Sequence, residues 1–252
     1  MLEAFKRWIS GAPSGADWSE LSGWAQQQGH GFKRARDDEG FVIDGQFGNK
    51  PWRLEWGPPQ RAYISANELR IRMELQLSSS LQMMLLSRAL MEMLERETFE
   101  RYTQSNQTII DTATPEEMRW LAMFPKVNLD LPKEVRTHLS AVASDPQTAL
   151  QWVADAAFAQ QLGVASSRLL RHDPPFVLMT LRGRLYLRLE LGLPEPATVA
   201  QALSLFQAAA QAALRVGAER SDSTHEPRTD WPTTASTAWQ TDIDPPEPPP
   251  KR

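Results

Sequence analysis

Residues 68–77 read ELRIRMELQL, and the alternation within this stretch decides the fold class. Successive side chains of a strand point to opposite faces, so Leu69, Ile71, Met73, Leu75 and Leu77 share one side. Glu68, Arg70, Arg72, Glu74 and Gln76 share the other. One apolar face and one face of mixed charge mark a strand of an antiparallel sheet, packed on one side and solvated on the other.

The same argument runs upstream. PWRLEWGPPQR (51–61) holds two tryptophans, two arginines and a double proline, which invites comparison with a ligand-gripping box. Alternation separates them: Trp52, Leu54 and Trp56 take the apolar face, Arg53 and Glu55 the polar one. GPPQ (57–60) then forms a turn, because Pro58 and Pro59 cannot donate to a ladder. Any site here is expected at that turn, with Arg61 and Tyr63, and not at the tryptophans. Turns at 37–40 and 48–51 divide the segment from Phe32 to Leu77 into strands, and Gly45 is expected to mark a bulge. Before it, Asp17–Gln28 has the cap and apolar spacing of a helix.

Downstream, the spacing predicts a helix from Leu81 to Tyr102, with a wide apolar arc and i,i+4 pairs such as Arg88–Glu92 and Arg96–Glu100. QTIID (107–111) fits a short strand. Thr114, Pro115 and Glu117 fit a capping box opening a helix through Phe124. Further helices are predicted over Pro132–Ala143, Pro146–Leu162 and Thr198–Val216. Residues 174–191, PPFVLMTLRGRLYLRLEL, form a hairpin. A three-residue loop of Leu181–Gly183 places Thr180 opposite Arg184, Met179 opposite Leu185 and Val177 opposite Leu187. Phe176, Leu178, Arg184, Tyr186 and Arg188 then share a half-apolar face that something must cover, which makes them candidate partner contacts.

LRIRMEL (69–75) and LYLRLEL (185–191) agree at four of seven positions, so two similar halves are an expectation of the sequence. The domain reading is an N-terminal amphipathic segment and linker (1–16), an α+β half (17–112), a second α+β half of helices and a hairpin (113–216), and a disordered, acidic, proline-rich tail (217–252). Trp231 and Trp239 in that tail are candidate docking residues. Leu2, Phe5 and Ile9 suit a short helix folded back on the protein; a peripheral membrane contact by residues 1–10 is the less favoured reading.

Composition excludes several chemistries. Cysteine is absent, which removes thiol nucleophiles, disulfides, thiolate zinc sites and iron–sulfur clusters, and fits a reducing cytoplasm. None of the histidines His30, His138, His172 and His225 stands in a metal-ligand spacing, and there is no nucleophile elbow or phosphate-cradling glycine loop. No cofactor or metal is expected. The net charge of −4 argues against nucleic acid, although Lys33, Arg34 and Arg36 form one basic cluster and Arg168, Arg171, Arg182, Arg184 and Arg188 another. No apolar run is long enough to span a bilayer.

WRLEWGPPQR, QMMLLSRALMEMLE and TPEEMRWLAMFPK resemble segments of an uncharacterised bacterial protein family of unknown function, a resemblance that implies no catalytic residues. The order helix, antiparallel strands, helix also resembles small α+β secretion chaperones. The expectation is therefore an α+β protein with antiparallel sheet packed by long helices. Its expected role is that of a non-catalytic cytoplasmic module, adaptor- or chaperone-like, that binds another protein. The alternative is an enzyme or small-ligand protein with a site assembled between the halves around Arg61, Tyr63 and His172.

Overall fold

In a computed structural model of the protein, which describes residues 17–35, 40–104 and 114–223, the alternating stretch forms a strand at Glu68–Glu74 near the middle of a nine-stranded antiparallel sheet. In chain order the first elements are α1 (Ser19–Gln27), β1 (Gly31–Arg34), β2 (Phe41–Phe47), β3 (Lys50–Gly57), β4 (Glu68–Glu74), β5 (Met83–Ser87) and α2 (Arg88–Gln104). There follow α3 (Glu116–Met123), β6 (Lys126–Val127), α4 (Lys133–His138), β7 (Leu139–Ala143), α5 (Pro146–Val153) and α6 (Ala156–Arg168). A hairpin of β8 (Phe176–Leu181) and β9 (Arg184–Glu190) leads into α7 (Pro196–Ser223). The strands stand in the order β1-β2-β3-β4-β9-β8-β5-β7-β6. The fold is α+β, as the alternation predicts.

One face of the sheet carries the main core. Trp52, Leu54, Trp56, Leu69, Ile71, Met73, Leu187 and Leu189 point into it, and residues of α1, α5, α6 and α7 close it. The tryptophans at 52 and 56 are structural: both are buried, and Trp56 donates its indole N–H to the Leu191 carbonyl at 2.7 Å. Trp18, Phe41 and Trp56 pack as a cluster with ring centroids 5.1–5.8 Å apart. Gly45 is no bulge, since it pairs in regular register with Trp52. It is glycine because a Cβ there would lie 2.2 Å from the Trp52 ring.

The sheet overturns several local expectations. Residues 83–87 are a strand, not the first turns of a helix, and all five are buried. Residues 139–143 likewise form β7 and not the end of a helix. The helix expected over Pro146–Leu162 breaks at Asp155, whose carboxylate accepts from the N–H groups of Ala157 and Phe158 and so starts α6. The last helix runs on to Ser223. Residues 1–16, QTIID (107–111), and Trp231 and Trp239 lie outside the described residues.

The hairpin register is also shifted by one. Thr180 faces Leu185, Met179 faces Tyr186 and Leu181 faces Arg184. The loop has two residues, with Arg182 at φ 51° and Gly183 at φ 79°, the pair of positive angles that matches hairpin twist. A one-residue shift exchanges the faces of β8. Phe176 and Leu178 therefore sit in the main core, while Val177 and Met179 lie on the other side with Tyr186 and Arg188.

The strands of the two expected halves share one sheet. β5 lies between β8 and β7, and β4 lies against β9. In the β4–β9 ladder Ile71 faces Leu187, its counterpart in the sequence match, so the two similar segments run side by side about that pair.

Candidate functional site

The second face of the sheet changes character across its width. Following the register, one row reads Asp44, Arg53, Arg72, Tyr186, Met179, Met84, Val142. The next reads Val42, Glu55, Arg70, Arg188, Val177, Leu86, Ser140. The β8, β5 and β7 half is apolar and is roofed by α2 and α3 through Leu90, Met91, Leu94, Met118 and Trp120. The β2, β3, β4 and β9 half is ionic; Arg53, Arg72 and Arg184 there have side chains 42%, 57% and 55% exposed.

The candidate site is the seam between the halves, where the loop after β3 meets α3. Pro58 and Pro59 turn the chain, and Tyr63 and Ile64 drop into the apolar half beneath α3. The Tyr63 hydroxyl donates to Glu117 Oε1 at 3.0 Å, and Arg61 Nε donates to the same oxygen at 3.3 Å. Arg188 Nε stands 3.9 Å from it. Glu117 is buried, and its Oε2 has no hydrogen-bond partner. Its expected part in a capping box does not form: α3 has no side-chain cap, and the carboxylate serves the seam instead.

A second buried carboxylate lies next to it. Glu68 accepts the Gln60 N–H at 2.7 Å and Arg70 NH1 at 3.3 Å, and it also accepts from Arg188. Arg70 NH1 also donates to the Pro58 carbonyl at 2.9 Å, which fixes the proline turn against β4. Arg188 thus stands between Glu68 and Glu117, two carboxylates withdrawn from water. Burying such charges is tolerable only where each is paired and hydrogen-bonded.

Chemically, the seam closes the donors Tyr63, Arg61, Arg70 and Arg188 on two carboxylates. Burial, reinforced by the negative Glu117 beside it, pushes the Tyr63 phenol far above its ordinary range, so it stays protonated and donates. Of the candidate ligand residues, Arg61 and Tyr63 are brought together, while His172 is exposed on the loop before β8 and takes no part in the network. The neighbouring His138 pairs with Asp173 at 2.7 Å. Of the candidate partner contacts, Arg184, Tyr186 and Arg188 lie on the ionic half or its border, and Phe176 and Leu178 have no surface to offer. Glu68, Arg70 and Glu117 belong to the seam and were not singled out by the sequence as site residues.

Among the described residues no cluster of histidine, aspartate and glutamate could hold a metal ion, and no helix is long and apolar enough to cross a membrane. No protein-family model matches the chain, and no curated protein matches it. Among solved structures, the mycobacterial trehalose monomycolate transport factor A, TtfA, is similar at 9% identity with a TM-score of 0.41, over 78% of this chain and 93% of that one. At that level of likeness nothing about function passes from one chain to the other.

Proposed function

We propose that the protein is a non-catalytic module that binds another protein on the ionic half of the sheet. The observation that carries this reading is the border at Tyr186 and Arg188. Among the described residues, helices cover the sheet on one side of it and leave β2, β3 and β4 open on the other. A broad, mixed-charge surface with arginines and a tyrosine at its edge suits recognition of a polar protein surface. Trp231 and Trp239 remain proposed as a further contact, and a cytoplasmic adaptor- or chaperone-like role is the specific form we give the module.

The enzyme alternative draws less support. Tyr63 and Arg61, the groups it would use, are turned onto Glu117 inside the seam, and a phenol held protonated is no base.

A photo-crosslinking residue placed at Arg72 in the cell tests the reading against the same residue at Gln211, exposed on α7 across the sheet. A discrete crosslinked protein from position 72 and none from 211 is the expected result. The same products from both positions, or none from either, would remove the ionic half from consideration.

A further inference from the structure

We propose that a small pocket between β3, β4 and β9 is an oxyanion site, which takes one carboxylate or phosphate group. The inference deepens the binding reading by naming the chemistry that the open sheet face recognises.

The pocket has a volume of about 110 Å3 and is lined by Arg53, Arg70, Arg72 and Arg188 together with Tyr186, Gln60 and one carboxylate, Glu55. The register makes its charge pattern unusual. Arg53 lies directly opposite Arg72, and on the adjacent row Arg70 lies directly opposite Arg188. Like charges facing each other across a ladder disfavour the pairing, so two such pairs side by side need anions to offset them.

The described residues supply these only in part. Asp44 is taken by Arg53, at 2.7 and 3.3 Å. Glu68 lies beneath and is taken by Arg70 and Arg188. Glu55 is divided between Arg70 Nε at 3.5 Å and Arg72 NH2 at 3.6 Å and forms a hydrogen bond with neither. With Arg61 and Glu117, which join the network through Arg188, five guanidinium groups meet four carboxylates, Asp44, Glu55, Glu68 and Glu117. Independently of that imbalance, Arg70 Nε is buried with no hydrogen-bond acceptor. A buried donor left unmade is costly, and a planar guanidinium matches the paired oxygens of a carboxylate or phosphate. An oxyanion in the pocket supplies the missing acceptor and the missing charge together. Glu55 then acts as a weak internal competitor for the same arginines.

The test uses the full-length chain labelled with 15N, following the arginine Nε–H signals during titration with inorganic phosphate and, separately, with acetate. Sodium chloride at matched ionic strength is the control. Saturable shifts of the Arg70 and Arg188 signals with either anion, absent with chloride, are expected. Saturation by phosphate alone assigns the site to phosphate groups, and saturation by acetate as well extends it to carboxylates. Arg72→Gln should weaken binding about three- to tenfold with unchanged thermal stability, since its side chain is exposed and leaves the Glu68 pairs intact. Glu55→Gln should strengthen binding about threefold by removing the competitor. Shifts that merely track ionic strength, or an affinity indifferent to Arg72→Gln, would overturn the proposal. Because no partner is present, failure here is separate from failure of the crosslinking experiment.

Discussion

Tyr63 and Glu117, fifty-four positions apart in the chain, share a buried hydrogen bond of 3.0 Å that fastens the proline turn to α3. The bond joins a phenol that stays protonated to a carboxylate that has lost its access to water. Tyr63→Phe keeps the ring and removes only the donor. A hydrogen bond to a charged group contributes about 1.5–3 kcal/mol, so the urea midpoint should fall by the corresponding amount with an unchanged slope.

Arg188 should prove harder to replace than its position on a sheet surface suggests. Arg188→Leu removes one of the two cations paired with Glu68, which is fully buried and keeps only Arg70 and the Gln60 N–H, and takes a cation from beside Glu117. Breaking a buried pair from one side costs about 3–5 kcal/mol. The double variant Arg188→Leu, Glu68→Gln should recover much of that loss. Chemical denaturation of the three variants measures the coupling, and a double variant no better than the single one would contradict the pairing.

The two-residue hairpin loop makes Gly183 sensitive. Its φ of 79° is left-handed, and a Cβ there would stand 3.0 Å from the Leu77 carbonyl oxygen. Gly183→Ala should cost about 1–2 kcal/mol from the backbone conformation alone. Arg182, also at positive φ, should gain stability on replacement by asparagine, which tolerates that region better. Thermal melts of both variants should move in opposite directions.

His30 sets an acid limit. Its ring lies 4.8 Å from that of Trp52 and 6.0 Å from that of Trp24, and partial burial pulls its pKa below the ordinary 6.5. The folded state therefore prefers the neutral imidazole. That contribution is fully present above pH 6.5 and is lost as the pH falls through the lower folded value. Stability measured from pH 7.5 down to 5 should decline less steeply in His30→Gln than in the wild type, and an NMR titration should place the His30 midpoint below that of a free histidine.

How much of this was legible in the sequence depends on how each element is buried. β3 and β4 are core on one face and charged on the other, so Trp52–Leu54–Trp56 and Leu69–Ile71–Met73 declare the strand by alternation. β5 and β7 are buried on both faces. Their continuous runs, MMLLS and LSAVA, carry no period of two and merge with adjoining helical segments, so they passed as helix. The hairpin register turned on one residue: a two-residue loop needs Arg182 at positive φ, which arginine seldom adopts. The turn bearing Arg61 and Tyr63 was visible as a place for a site. Its carboxylates were not, because Glu117 fits a capping box and Glu68 fits a solvated strand end. Only the arrival of β9 beside β4 places Arg188 between them.

The order of the strands also bears on how the chain emerges from a ribosome. β4 waits for β9, whose residues come more than a hundred positions later, and β5 has its neighbours on both sides, β8 and β7, still to be made. Until then β4 and β5 have unpaired edges, and β5 has only the adjoining α2 to cover one of its two apolar faces. Such long-range pairings are slow to close, since loop entropy is spent before any contact rewards it. The sheet is therefore completed only once the hairpin has appeared.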